Sequence, residues 1–222
     1  MAENDAPRRG MRGRRGRPPR FRDAKARLRE VASDLFHRRG VRAVGIDEIA
    51  AGAGMTKPAV YRHFGSKNGL VEDFVEADCE RLLTAVDAFL AGVGEGCYGL
   101  LGIGRLFAVD PLSGEGRGLL LLNAAAEYPE ANHPVRELVA GAMEGLHARL
   151  IAALCCQGAQ PRQAVAAADH ILLLIQGASA GCHCLGAKAS VGALGGAIEA
   201  VLLHYDIADL AEPSAVPQMR AH

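Results

Sequence analysis

A run of donor side chains in the first third of the sequence has the chemistry needed to bind a polyanion. Between residues 56 and 67 the chain supplies hydroxyl, phenol, imidazole, guanidinium and ammonium groups. Such groups donate hydrogen bonds to phosphate oxygens, and Lys and Arg also donate to the edge of guanine. The segment therefore predicts binding to a nucleic acid, provided that the donors share one face. The donors are Thr56, Lys57, Tyr61, Arg62, His63 and Lys67.

Two short helices separated by glycines are expected to position these donors. Ile46, Ile49 and Ala50 follow the i, i+3, i+4 spacing of one helix face. Gly52 and Gly54 then end that helix, because glycine turns the chain without a Cβ clash.

The second short helix is predicted over residues 57–64. Thr56 is expected to cap it, and Pro58 lies in its first turn, where a missing N–H costs nothing. Val60 and Phe64 face inward at i, i+4, so the basic and aromatic side chains face outward. This pattern predicts a helix-turn-helix. An ordinary corner between two helices is the alternative.

From residue 24 to residue 70 the chain resembles the N-terminal domain of the TetR family of one-component transcriptional regulators. The pattern Y-x-H-F-x-x-K-x-x-L after a glycine turn is its most specific part. The residues that carry the resemblance are Ala32, Leu35, Phe36, Gly40, Ile46, Ile49, Ala50, Ala53, Gly54, Tyr61, Arg62, His63, Phe64, Lys67 and Leu70.

The resemblance and the helical pattern together imply an all-α fold of about nine helices. A three-helix helix-turn-helix domain would occupy residues 23–70, and a ligand-binding and dimerisation bundle residues 71–208. We expect residues 1–22 to be a disordered basic arm and residues 209–222 a flexible tail. The implied protein is a ligand-responsive repressor, a homodimer released from a palindromic DNA operator by a small hydrophobic effector.

The resemblance also implies roles for the donors. Thr56, Tyr61, His63 and Lys67 would hold phosphates. Lys57, Pro58, Ala59 and Arg62 would meet base edges, although a phosphate contact is equally open for Arg62. The sequence departs from the family at Val44-Gly45, where most members have Thr or Ser, so the phosphate contact of that hydroxyl is in doubt.

The charge distribution agrees with a nucleic-acid-binding head on an acidic body. The whole chain is neutral, with 25 Lys and Arg and 25 Asp and Glu. Residues 1–70 hold 17 Lys and Arg against 7 Asp and Glu, and residues 71–222 hold 8 against 18. The net charges are therefore +10 and −10, and the acidic body would be repelled by DNA.

The arginine-rich arm offers a second DNA contact. Arg15 and Arg17 lie in a stretch similar to the Arg-Gly-Arg-Pro core of an AT-hook. An extended arm with Gly at its centre fits the narrow minor groove of A·T-rich DNA. A solvated basic tail that holds phosphates without distinguishing bases is the alternative.

The remainder of the chain predicts helices with apolar faces. We expect Asp23 to cap a helix over 24–39, Ser66 to cap a long helix ending near Gly92, and His133 or Asn132 to cap one ending near Cys156. The other predicted helices cover residues 97–109, 118–128, 161–184 and 190–205. The last two are rich in small residues, which indicate a dimer interface formed as a four-helix bundle. The interface candidates are Gly177, Ala178, Gly181, Gly195, Ala197 and Ala200.

The effector site is expected among the body helices. Its polar candidates are Asn123, Tyr128, His147, His170 and Gln176. A different possibility is thiol or metal sensing by Cys182, His183 and Cys184, which would require the helix to end there, because residues i and i+2 of a helix point about 200° apart. Buried structural cysteines are the ordinary alternative.

Other functions lack a sequence signal. No phosphate-binding glycine loop between a strand and a helix and no nucleophile–base–orienter arrangement is recognisable. We therefore expect neither a cofactor nor an enzyme, and a helical enzyme using the Cys and His residues is the less favoured alternative. The longest apolar runs are far below the roughly 18 residues of a membrane span, and no signal peptide is visible. Together with six cysteines that lack the density of a disulfide scaffold, this indicates a cytoplasmic protein without membrane attachment. The family resemblance implies a bacterial protein associated with the nucleoid.

Overall fold

The computed structural model describes residues 21–92 and 118–207, and this part of the chain folds into eight α-helices without a strand. Side chains are described from Ala24 to Ala91 and from Gly118 to Ile207. The helices are α1 Phe21–Arg39, α2 Ile46–Gly52, α3 Lys57–Phe64, α4 Lys67–Gly92, α5 Leu120–Ala126, α6 Pro134–Cys156, α7 Pro161–Leu185 and α8 Ala187–His204. The predicted all-α class is confirmed. The ninth predicted helix, residues 97–109, lies outside the described residues, as do the arm up to residue 20 and the tail from residue 209.

Helices α1 to α3 form the head. Leu28, Ala32 and Phe36 of α1 are fully buried at a spacing of four residues, which explains why this segment packs as an amphipathic helix. Gly40 ends α1 with φ +83° and donates its N–H to Phe36 O at 2.9 Å. Asp23 lies inside α1, so the expectation that it caps this helix was wrong.

The turn between α2 and α3 is built as the glycines predict. Gly54 has φ +66°, and the chain reverses there with Met55 donating its N–H to Ala50 O at 2.8 Å. The predicted bounds of α3 are confirmed: Thr56 is its N-cap and Gly65, with φ +73°, ends it.

The long helix α4 joins the head to the body. Ser66 Oγ accepts from Gly69 N at 2.9 Å, which confirms Ser66 as the cap of α4. The helix packs against α1 and α3 at one end and against α5 and α6 farther along. One continuous hydrophobic core therefore runs from Leu28 in the head to Leu202 in the body.

The body is completed by α5 to α8. Helix α6 packs between α4 and α7, and α7 packs along α8. His133 caps α6, its Nδ1 accepting from Val135 N at 3.2 Å. Helix α5 covers Leu120–Ala126, fewer residues than predicted, and α8 begins at Ala187 and not at Ser190, because Gly186 (φ +83°) is the break between α7 and α8.

Two body helices, α6 and α7, are long and apolar enough to cross a membrane by length and composition. Core helices of water-soluble bundles satisfy the same criterion. Only 33% of the most apolar window of each helix is buried within one chain. Much of each apolar window is therefore uncovered by the described part of the protomer.

Candidate nucleic-acid interface

Helix α3 turns one side into the head and the other outward. Val60 is fully buried, whereas Tyr61 is 42% exposed and Lys57 and Arg62 are exposed. Ala59 and His63 are half-buried at the border between the two sides. The predicted outward set therefore lies on one surface, with Ala59 and His63 at its edge.

Thr56 and Pro58 lie at the exposed start of α3. Thr56 occupies the N-cap position, but its side chain makes no capping hydrogen bond. The hydroxyl is not used within the helix, and the first N–H groups of α3 carry the partial positive charge of a helix N-terminus. This end of α3 is suited to a phosphate oxygen.

Lys57 is engaged by a carboxylate of the preceding helix. Its Nζ lies 3.0 Å from Asp47 Oδ2. The hydrogen bond from this ammonium to Asp47 raises the pKa of Lys57. Lys57 is therefore charged. Its ammonium group lies at the outer surface, where it contacts α2 and is accessible to a ligand of α3.

The surroundings of His63 disfavour its charged form. Burial lowers its pKa, and the charges of Arg62 and Lys25 lower it further. A neutral imidazole still donates one N–H to a phosphate, but it contributes no positive charge.

Lys67 faces the loop between α1 and α2. Its Nζ donates to Arg42 O at 3.1 Å. Burial lowers the pKa of Lys67. This predicted phosphate ligand is thus already tied to the head's own backbone. Arg15 and Arg17, the predicted minor-groove residues, lie outside the described residues.

Arg42 is a candidate site residue that the sequence reasoning missed. Its exposed guanidinium carbon lies 5.9 Å from the centroid of the Tyr128 ring. Arg42 and Lys67 line one cavity of 290 Å³ between the head and the body, together with Asn68, Tyr128, Glu130 and His133.

A second, larger groove of 690 Å³ lies between α4 and α6. Its lining is acidic, with Glu72, Asp73, Glu76 and Glu137 among its residues. Carboxylates at this density repel a polyanion, so the groove is no part of a nucleic-acid interface.

The five polar residues predicted for an effector site do not converge. Tyr128 stacks on His133 at the head–body cavity, with ring centroids 3.9 Å apart. His147 Nε2 lies 2.8 Å from Asp169 Oδ1, His170 Nδ1 lies 3.2 Å from the Tyr205 hydroxyl, and Asn123 Oδ1 lies 3.1 Å from His183 Nε2. Gln176 is half-buried on α7. Tyr128, His147, His170 and Asn123 are thus engaged with partners in different places.

The Cys182-His183-Cys184 cluster does not form a shared site. Helix α7 continues through Leu185, so Cys182 and Cys184 point to different sides. Cys182 is buried and its thiol contacts Ala178 O at 3.3 Å, whereas Cys184 is exposed. Among the described residues no group of three or more His, Cys, Asp or Glu side chains could hold a metal ion. The condition for metal sensing here, a helix that ends at these residues, is not met.

The candidate interface residues lie along α7 and α8. Gly177 and Ala200 are exposed, and the other four are half-buried between α7 and α8 or at their edges. Two large apolar side chains lie on the same outer surfaces: Leu173 is 64% exposed and Leu203 is 52% exposed.

Comparison with known proteins gives the same picture of the head. The family model for bacterial regulatory proteins of the tetR family matches residues 28–74. The transcriptional activator FasR of Mycolicibacterium smegmatis is 39% identical over 89 residues, covering 37% of this chain and 40% of FasR. The transcriptional repressor KstR2 of Mycobacterium tuberculosis is 40% identical over 48 residues, covering 22% of this chain and 24% of KstR2. The chain thus matches less than half the length of these curated relatives.

Comparison with solved structures extends to the body. SCO4454, a TetR-family transcriptional regulator from Streptomyces coelicolor, has a TM-score of 0.73 and 28% identity, over 82% of this chain and 95% of that one. SmeT in complex with triclosan has a TM-score of 0.66 and 19% identity, over 90% and 99% of the two chains, which is a likeness of fold alone.

The helix-turn-helix head on a helical body defines a one-component regulator fold. Residues 28–74 match the tetR family of bacterial regulatory proteins, and the described helices share the fold of a solved TetR-family regulator. FasR, KstR2 and SCO4454 are all regulators of transcription.

Proposed function

We propose that this protein is a homodimeric transcriptional repressor that binds a palindromic DNA operator through α3 and is released by a small hydrophobic effector. The observation that carries the proposal is the two-sided character of α3. Because Val60 is fully buried against the head, Lys57, Tyr61 and Arg62 are all presented outward. The outer side combines cations with hydrogen-bond donors, which is what a major groove and its phosphates require.

The length of α3 supports a dimeric mode of binding. With eight residues, the helix is about 12 Å long and reaches only a few base pairs. Two copies related by a two-fold axis, roughly 34–36 Å apart, would contact successive major grooves of a palindrome.

The outer faces of α7 and α8 support the dimer itself. Leu173 and Leu203 are each more than half exposed, and small residues such as Gly177 and Ala200 lie on the same helices. Exposed apolar surface of this kind is stabilised by a partner, and small residues allow helices to approach closely. We propose that α7 and α8 of two chains form a four-helix bundle, which would cover the apolar faces that one chain leaves open.

The effector is the least specified partner. SmeT shares the fold, and its solved structure is a complex with triclosan, an apolar small molecule of the class proposed here. The candidates for its site stay predictions: Asn123, Tyr128, His147, His170 and Gln176. The side chains that already contact partners would have to separate or rotate to receive the effector.

We also propose that the protein acts in the bacterial cytoplasm, at the nucleoid, without membrane attachment.

The test uses the purified full-length chain and the promoter DNA upstream of its own coding region. We expect sedimentation equilibrium to give a dimer and fluorescence anisotropy to give saturable binding, with one dimer per duplex. Tyr61→Ala should weaken binding, and Thr84→Ala, which removes an exposed hydroxyl bonded to Glu80 O on α4, should not. A monomer, or a chain that does not bind duplex DNA at low ionic strength, would overturn the proposal.

A further inference from the structure

The loop that joins α1 to α2 is held by a side chain of the body. Glu127, which follows α5, accepts two backbone hydrogen bonds: from Val41 N to Oε1 at 3.1 Å and from Arg42 N to Oε2 at 2.7 Å. The approach is close, because a Cβ built on Gly40 would lie 2.6 Å from Glu127 Oε1. Two N–H donors of the head are therefore satisfied by one carboxylate from outside it, and charge strengthens both bonds.

The Arg42 residue held in this way also organises Lys67. The carbonyl of Arg42 accepts from Lys67 Nζ at 3.1 Å. The guanidinium of Arg42 lies over the Tyr128 ring, which is in turn stacked on His133. A chain of contacts thus runs from Glu127 through the Arg42 main chain to the Lys67 ammonium, and the Arg42 side chain rests on the residue next to Glu127.

These contacts bring two cationic residues to one cavity. Arg42 and Lys67 line the same 290 Å³ cavity. Burial has the largest effect and lowers the pKa of Lys67, the charge of Glu127 raises it, and the charge of Arg42 lowers it by a smaller amount. Glu130 also lines the cavity, and the Glu127 carboxylate keeps its negative charge while it accepts from the two N–H groups. An anion that enters the cavity would be attracted by both cations.

We propose that Glu127 is a positioning residue for DNA binding, which holds the Arg42 main chain so that Arg42 and Lys67 share one backbone phosphate. The proposal rests on the proposed function and adds two residues to it. Arg42 becomes a phosphate contact, and the body, through Glu127, becomes part of the DNA-binding surface.

The test compares Glu127→Gln with Glu130→Gln in the full-length chain. Both changes remove one negative charge beside the cavity, but only the change at position 127 would turn an amide NH₂ group toward a backbone N–H. Each phosphate contact contributes roughly 0.9 to the slope of log affinity against log salt. We expect Glu127→Gln to lower that slope by about 0.9 for each protomer and to weaken binding about ten-fold at 0.1 M salt. Glu130→Gln removes a carboxylate from the cavity without disturbing the Val41 and Arg42 amides, so it should leave the slope unchanged and should strengthen binding, if it changes it at all.

A second comparison separates positioning from general loss of structure. In a chain that already carries Arg42→Ala and Lys67→Ala, Glu127→Gln should cause no further change in slope or affinity, because the groups it positions are gone. A further loss of affinity in that background would mean that Glu127 acts on the structure as a whole, and would overturn the proposal.

Amide hydrogen exchange, followed by NMR without DNA, tests the hydrogen bonds directly. The Val41 and Arg42 amides should exchange faster in Glu127→Gln than in the wild-type chain or in Glu130→Gln, with the melting temperature changed little. Unchanged exchange at these amides overturns the positioning role whether or not DNA binds. A wild-type chain that binds no duplex would instead overturn the proposed function, and the phosphate contact with it.

Discussion

Lys57 and Asp47 join the two helices of the helix-turn-helix: Lys57 Nζ, at the start of α3, lies 3.0 Å from Asp47 Oδ2, in the first turn of α2. Both side chains are exposed, Asp47 at 76% and Lys57 at 48%. Lys57 is a predicted base contact, so on DNA it has to leave this carboxylate or bring it close to the phosphates. We therefore expect the ion pair to oppose DNA binding.

Asp47→Asn should consequently tighten binding to DNA. The change releases Lys57 from its charged partner and removes a negative charge beside α3, so we expect the dissociation constant to fall roughly three- to ten-fold at low salt. Anisotropy titrations at about 0.05 and 0.3 M salt would measure it, and the gain should shrink at the higher concentration. Asp87→Asn, on the body, is the control for a change in net charge. Equal gains from the two variants would show that the pairing with Lys57 is irrelevant.

Tyr61→Ala should lower the affinity for DNA of any sequence, whereas Lys57→Ala should lower the specificity for the operator. Tyr61 is predicted to hold a phosphate, so its loss should weaken binding to the operator and to a scrambled duplex by the same factor. Lys57 is predicted to meet a base edge, so Lys57→Ala should reduce the operator-to-scrambled ratio by about ten-fold. Competition titrations with both duplexes would measure the two ratios. A Lys57→Ala variant that loses affinity for both duplexes equally would reassign Lys57 to a phosphate.

The features that were predictable from the sequence are those whose causes are local. The bounds of α3 follow from Thr56, Pro58 and Gly65, which lie close together in the chain, and the Ser66 cap follows from a donor within the first turn of α4. Caps, glycine turns and apolar spacing act over one or two helical turns. They can therefore be recognised in the sequence without knowledge of the tertiary structure. The basic and aromatic side of α3 was predictable for the same reason.

Features that depend on packing between distant segments were not predictable. Glu127 meets Val41 across 86 residues, and nothing near either residue indicates the pair. The same limit applies to the effector candidates: His147 and His170 looked available as polar residues on apolar helices, but Asp169 and Tyr205 engage them. A helical pattern predicts the face of the helix on which a residue lies. The partner that the residue meets there depends on how the helices pack.

The apolar outer face of α7 should govern oligomeric state. Leu173→Glu would place a charge in the proposed bundle, where desolvation makes it costly, so we expect a monomer by sedimentation equilibrium at micromolar concentration. Affinity for a two-half-site operator should then fall at least about 100-fold, because the second half-site no longer adds to the first. Ala152→Glu, at an exposed position of α6, is the matched control. A dimeric Leu173→Glu chain would move the interface elsewhere.

Arg29 and Asp73 should make the head–body junction sensitive to acid. Asp73 accepts from Arg29 Nε and, at 2.7 Å, from Arg29 Nη2, and Lys25 Nζ lies 2.5 Å away, so α1 is tied to α4. Partial burial raises the pKa of the Asp73 carboxyl, but the hydrogen bonds from Arg29 and Lys25 outweigh it and hold that pKa below its ordinary value of 3.8. A carboxyl with a lowered folded-state pKa stabilises the fold above its unfolded pKa, and the contribution is lost as the pH falls through the folded pKa.

Asp73→Asn should therefore lower the free energy of unfolding at pH 7 by about 1 kcal/mol, and the difference from wild type should shrink as the pH falls below 3.8. Urea unfolding followed by circular dichroism between about pH 3 and pH 7 would measure both. Asp87→Asn is the control, because Arg149 also holds Asp87 by two bonds, of 2.6 and 2.8 Å, but the Asp87 side chain is 56% exposed against 16% for Asp73. Solvent screens the more exposed pair, so its loss should matter less. If the two variants are equally destabilised at pH 7, burial at the junction does not strengthen the Arg29–Asp73 pair.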